Sequence, residues 1–441
     1  MAPRPLPNEL WIDIIHHLPQ SDILNISSTS KSLHNLAVPF LYSEFDATTN
    51  NKGATRATEL FLRSLLERPE LGTHVKKATF CAKGDEEVDD FMTVRSQSFD
   101  AKTWSCLREK MSHASRDKEF GVSWESRFNA KHNDDAFLAL ILHMVSKNLE
   151  SLTFVKDGKC SRPYKFMHTV LMEAARLQYS GEERYPLSQL REVRFLTESP
   201  STYGGVSSLR VDDVRPYLKL KSVKRLTCHD VSEPGSGNVS DEQDKFTATT
   251  VELHHCRMTR PSLKSFLSKF QDLKALHWKT GTEANHFAHC FDDIRDIPQL
   301  KATLEELVVD DSCSLRSIGL PNFTDMSGFG FMKSLEAGSY SLLGSLVMVV
   351  RPGNFSIYPQ HRLNAFIAAL PTSLQILKIT QCQRAILSHV PTILGLKDKS
   401  LHNLKQLTLA FPRSSWTPRA DGDSVQLAKR VGVELMVLTK N

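Results

Sequence analysis

Two periodicities divide this chain. Between Asn8 and Leu18 the apolar residues Leu10, Trp11, Ile14, Ile15 and Leu18 recur at helical spacing, with Asn8, Asp13 and His16 on the other face. This predicts an amphipathic helix with Pro7 at its start, where a missing N–H carries no penalty. Ser21 is a suitable N-cap for a second short helix carrying Ile23, Leu24 and Ile26, and Asp22 in its first turn complements the helix dipole. A third helix is expected from about Ser30, burying Leu33, Leu36, Ala37, Phe40 and Leu41, with Pro39 kinking or restarting it.

Beyond residue 70 a shorter pattern returns: an apolar residue, two others, an apolar residue, one other, an apolar residue. It reads Leu149, Leu152, Phe154; Leu190, Val193, Phe195; Val223, Leu226, Cys228; Leu273, Leu276, Trp278; Leu304, Leu307, Val309; Leu374, Leu377, Ile379; and Leu404, Leu407, Leu409. Weaker copies are Val75, Ala78, Phe80; Val251, Leu253; and Met332, Leu335, Ala337. The last two apolar residues of each copy point the same way in a strand, and the first turns the chain into it. Helical segments fit between copies at Asp134–Lys147, Lys165–Gln178, Pro261–Phe270 and Leu363–Leu370. The L-x-x-L-x-L spacing resembles the strand segment of a leucine-rich repeat. A strand–helix unit cannot cover its own apolar face, so the resemblance implies stacking into an irregular solenoid. The Asn or Cys that regular repeats place after the strand is missing, although Cys256, Cys313 and Cys382 fall near that place. A βαβ enzyme would alternate in the same way. The Gly-rich stretches Gly204-Gly205 and Gly235-Ser236-Gly237 form neither G-x-G-x-x-G nor a phosphate loop, so the solenoid is preferred. Polar insertions at 82–133 and 232–248 interrupt the series.

The order Leu6-Pro7-Asn8-Glu9-Leu10, then Leu18-Pro19-Gln20-Ser21-Asp22-Ile23-Leu24, then Pro39-Phe40-Leu41-Tyr42 closely resembles an F-box, in a chain similar to F-box proteins of filamentous fungi with a leucine-rich-repeat-like body. Ser28, Thr29 and His34 depart from the family pattern, which bears on fine contacts. The bare helical periodicity is equally met by an N-terminal cap on the larger body. The resemblance implies an α/β chain with an F-box domain at 4–46 followed by a repeat domain at 70–441. It also implies that Leu6, Pro7, Glu9, Leu10, Ile14, Leu18, Pro19, Asp22, Ile23 and Leu24 meet a Skp-type adaptor. A forty-residue module of three short helices is too small to bury its own apolar surface, so a cover on one or both sides is expected.

Composition narrows the function classes. The 441 residues are 40% hydrophobic and 24% charged, as in a folded globular chain. The 55 Lys and Arg are interspersed with 50 Asp and Glu, so the net charge of +5 does not suggest a nucleic-acid partner. The eight cysteines contain no C-x-x-C pair, as expected of buried thiols in the cytoplasm or nucleus. The first apolar segment is broken by Glu9 and Asp13, against a signal peptide, and the apolar runs 137–145 and 342–350 are too short for a membrane helix.

No G-x-S-x-G or H-E-x-x-H occurs, and no cofactor is expected. His286, His289 and Cys290 with Asp292 and Asp293 share helical spacing but lack a second ligand pair, so packing or solvent-facing roles are preferred to a zinc site. His254-His255-Cys256 is weaker still, because neighbours on a strand point apart. Asp212-Asp213 and Asp310-Asp311 read as solvated carboxylates, and Lys219, Lys221, Lys224 and Arg225 as a basic rim that an acidic partner could meet. The F-box resemblance implies the role of a non-enzymatic substrate receptor. The F-box would dock a Skp-type adaptor and, through it, a cullin, while the body would bind an unidentified target protein. An F-box scaffold or assembly protein acting outside ubiquitination is the alternative.

Overall fold

Each copy of the repeated pattern forms a strand, and its apolar residues are the ones buried. In the computed structural model, which describes residues 6–48, 54–82, 105–106, 109, 134–156, 165–180, 185–197, 209–232, 245–256, 258–280, 294–310, 325–338, 367–382, 384–397, 400–412 and 422–439, the chain forms two compact units. The first is built mainly from Met1–Ser201 with Asp213–Lys224, the second mainly from Arg225–Asn441.

The first unit opens with α1 (Asn8–His16), α2 (Gln20–Ser27) and α3 (Lys31–Leu41). Both opening helices are capped by proline: Trp11 N–H donates to the Pro7 carbonyl at 3.2 Å and Asp22 N–H to that of Pro19 at 3.0 Å. Ser21 therefore lies inside the first turn of α2 and is not its cap. Ser30 does cap α3, its Oγ accepting from Leu33 N–H at 3.2 Å. Pro39 does not end that helix, which runs on to Leu41. In the last turn a proline removes only one internal bond, and Tyr42 N–H still reaches the Val38 carbonyl at 3.1 Å.

Strands β1 (Glu44–Asp46), β2 (Lys77–Ala82), β3 (Ser151–Lys156) and β4 (Glu192–Thr197) follow in a parallel ladder in that order. In register, Ala78, Leu152 and Val193 form one buried row and Phe80, Phe154 and Phe195 the next. The phenylalanine rings follow one another, tilted for Phe80–Phe154 with centroids 6.0 Å apart and stacked for Phe154–Phe195 at 5.2 Å. Helix α4 (Ala54–Glu67) occupies the stretch that the sequence assigned to neither domain. Helix α5 (Asp134–Val145) is apolar on all sides and its residues Ala136 to Leu142 are buried throughout, whereas α6 (Lys165–Ser180) buries Met167, Leu171 and Ala174 on one face.

Ahead of the next long strand lie β5 (Leu209–Arg210) and α7 (Val211–Leu218). The second unit then repeats the strand pattern more regularly. Its strands β6 (Arg225–His229), β8 (Thr250–Cys256), β9 (Ala275–Thr280), β10 (Glu306–Asp310), β11 (Ser334–Gly338), β12 (Ile376–Thr380), β13 (Gln406–Phe411) and β14 (Glu434–Thr439) pair in parallel, each with the next. The two-residue β7 (Val231–Ser232) pairs with β5. The rows Leu226, Val251, Leu276, Leu307, Leu335, Leu377, Leu407 and Cys228, Leu253, Trp278, Val309, Ala337, Ile379, Leu409 are in register and at most 1% exposed. Helices α8 (Arg260–Leu267), α9 (Pro298–Thr303), α10 (Val390–Gly395) and α11 (Gly422–Arg430) lie between strands. Of the helix expected at Leu363–Leu370 only the last four residues are described, helical at Ile367 and Ala368 and turning at Ala369 and Leu370, and the insertions at 82–133 and 232–248 fall mostly outside the described residues.

Strand ends in the second unit share a turn. Asp230, His255 and Gln381 are left-handed, with φ of 54, 55 and 55°, and each stands two residues after an inward strand residue. The turn drives the following residue, Val231, Cys256 or Cys382, back into the core at 2% exposure or less. His254 and His255 thus do not alternate along a straight strand. The ladder shifts register between His254 and Cys256, so the step from one to the other is a bend.

Candidate functional site: the surface of the N-terminal helices

The segment of the three opening helices, from Leu6 to Leu41, divides its apolar residues between two destinations. Ile15 and Ala37, both fully buried, and Ile23 at 6% exposure form a small core, against which Leu18, Leu36, Phe40 and Leu41 pack. Leu6, Leu10, Ile12, Ile14 and Leu24 are instead 46, 47, 40, 40 and 60% exposed. They make up five of the eleven large exposed apolar side chains among the described residues, in a segment of about twenty. Leu10 and Ile14, four apart on α1, share one face.

Of the residues singled out from the sequence, Leu6, Pro7, Glu9, Leu10, Ile14, Pro19, Asp22 and Leu24 are exposed. Ile23 is a core residue and Leu18 is half-buried against that core, so both support the helices from within. Ile12 is exposed as well, although the helical repeat drawn through Leu10, Ile14 and Leu18 passes it by. Gln20 ties the start of α2 to the end of α3, its Nε2 donating to the Leu41 carbonyl at 3.0 Å.

A second polar constellation lies on the face of β6, β8, β9 and β10 opposite the buried rows. Glu252 is its centre. Thr227 Oγ1 donates to it at 3.3 Å, Arg225 lies 3.9 Å away, and the rings of His254 and His277 stand 3.9 and 4.0 Å from its carboxylate. The other nitrogen of His277 is 3.0 Å from Glu306, and Lys279 is 4.0 Å from Asp310. Burial pushes the His229 imidazole from 6.5 down to about 4, helped by His254, His255 and Lys279 and opposed by Asp230. His254 is lowered chiefly by burial, against the pull of Glu252. Two of these contacts, Thr227 to Glu252 and His277 to Glu306, are hydrogen bonds, and the others are longer electrostatic contacts.

Three thiols, Cys228, Cys256 and Cys382, are buried. Burial pushes Cys256 and Cys382 up to about 12 and raises Cys228 well above 9.0, so all three stay protonated near neutrality. Among the described residues no three His, Cys, Asp or Glu side chains could hold a metal ion, and no helix is long and apolar enough to cross a membrane. His286, His289, Cys290, Asp292, Asp293 and Asp311 lie outside the described residues. Asp212 and Asp213 sit half-buried on α7, and Lys221 lies 4.0 Å above the Tyr179 ring.

Residues 5–48 match the F-box-like family. The match spans all three opening helices and β1, and F-box domains typically bind Skp-type adaptors. No curated protein matches the chain.

Proposed function

We propose that this chain is the substrate-recognition subunit of a cullin-based, SCF-type ubiquitin ligase, with its F-box docked on a Skp-type adaptor and its body holding a target protein. The observation that carries this reading is the pairing of an F-box-like match with apolar side chains left in solvent within the matched residues, chiefly Leu6 just ahead of α1 and Leu10, Ile14 and Leu24 on the helices. Such exposure is unfavourable unless a partner covers it, and binding energy concentrates in a few apolar anchors. The body supports the receptor role through its in-register parallel strands, which we read as a leucine-rich-repeat-like solenoid offering a strand face to the target. The chain makes and breaks no bond itself. It brings target and ubiquitin-carrying enzyme into one assembly, in the cytoplasm or nucleus.

The test is co-purification with a Skp-type adaptor. Leu10→Asp with Leu24→Asp is expected to weaken capture by at least about tenfold while leaving the melting temperature unchanged, since both side chains are exposed. Undiminished capture, or loss of capture with loss of folding, would count against this surface. Recovery of cullin and ubiquitinated proteins with the wild-type chain, absent with the variant, separates a ligase subunit from an F-box scaffold.

A further inference from the structure

The F-box-like match ends at residue 48 and contains β1, yet the hydrogen-bonding partner of β1 is β2, the first strand after α4. The module and the strands that follow it are therefore joined by a shared ladder as well as by the chain. Lys76 and Lys77 N–H both donate to the Ser43 carbonyl, at 2.8 and 3.1 Å, and Ala47 N–H donates to that of Thr79 at 3.0 Å. Lys77 and Glu44 pair across the seam at 4.0 Å, but both are more than half exposed, where such a pair contributes little. A strand of three residues is also marginal by itself.

What remains is Phe45. Its ring lies parallel on Phe61 of α4, with centroids 4.0 Å apart and planes inclined by 7°, and 5.8 Å from Phe80 on β2. It thereby joins the row of phenylalanine rings that runs on through Phe154. Phe61 is 8% exposed and Phe80 fully buried, so the ring is seated on the core of the first unit.

We propose that Phe45 is a positioning residue: seated between α4 and β2, it fixes the orientation of the F-box-like domain on the strands β2–β4. A bound adaptor would then be held at one angle to those strands, and not on a loose tether. The functional meaning rests on the adaptor-docking reading, but the structural test does not.

The experiment compares the full chain with Phe45→Ser and Phe45→Tyr by amide hydrogen exchange, alongside adaptor affinity. In Phe45→Ser the amides of Ala47, Lys76 and Lys77 are expected to exchange at least about tenfold faster, while those inside α1–α3 are unchanged. Phe45→Tyr, which keeps the stacked ring, should restore protection. Adaptor affinity should stay within about twofold in both variants. If Phe45→Ser lacks a cooperative melt, Phe45→Leu, which fills the site without stacking, replaces it. Unchanged exchange at the three amides overturns the proposal, as does equal loss of protection inside α1–α3, which would make Phe45 a prop of the helices themselves. Failure of the wild-type chain to bind adaptor sinks the docking reading alone, and the exchange result still decides the role of Phe45.

Discussion

The imidazoles of His229 and His254 face one another across β6 and β8, paired in register, with ring centroids 4.8 Å apart and planes inclined by 58°. Partial burial beside a second imidazole favours the uncharged ring, so His229 titrates at about 4 in the folded chain against the usual 6.5. The unfolded chain takes up its proton first as pH falls. Stability is therefore full above 6.5 and is lost as pH drops from there towards 4. Because carboxylates titrate nearby, the measurement is a difference: the urea midpoint of the wild type minus that of His229→Gln, followed across this window. The wild type should fall more steeply. Parallel curves would show that this imidazole does not govern the acid limb.

Phe154 is the middle ring of its row, 1% exposed, with Phe80 on one side, Phe195 on the other and the Tyr217 ring edge-on at 5.7 Å. Removing it leaves a cavity that β-pairing on both sides prevents from collapsing. Phe154→Ala is expected to cost about 3–5 kcal/mol in chemical denaturation. A loss below about 1 kcal/mol would mean that the neighbouring rings can close the gap.

The left-handed turn at His255 makes a sharper distinction. A β-branched residue resists φ of 55°, and His255→Val is expected to destabilise by about 1–2 kcal/mol. His255→Gly, free of that penalty but more flexible when unfolded, should stay within about 1 kcal/mol of the wild type. Equal urea midpoints for the two variants would show that the turn relaxes.

The strands of the body were legible because their pattern is local: in copies such as Leu304, Leu307, Val309 the three spaced apolar residues also define the buried face. The ends of the series were less legible. At β14 the position of the leading apolar residue is held by Gly432, itself left-handed at φ 66°, so the motif loses its first member. At β1 the spacing survives as Tyr42, Phe45 and Ala47, but it lies in a segment already accounted for by helices. In the opening helices, periodicity located α1–α3 but not which neighbour turns inward. Ile14 and Ile15, like Ile23 and Leu24, are adjacent apolar pairs of which only Ile15 and Ile23 enter the core. That choice depends on where α3 lies, which no spacing within α1 or α2 encodes. The left-handed turns at Asp230, His255 and Gln381 carry no glycine to announce them.

The fusion of β1 with β2 also bears on how loss of docking should be engineered. Excising residues 5–48 would strip away an outer rung, bare the edge of β2 and leave Phe61 and Phe80 without their neighbour. Such a shortened chain would be prone to clump, and its failure to act would say nothing about docking. Leu10→Asp with Leu24→Asp leaves that rung in place and is the cleaner control.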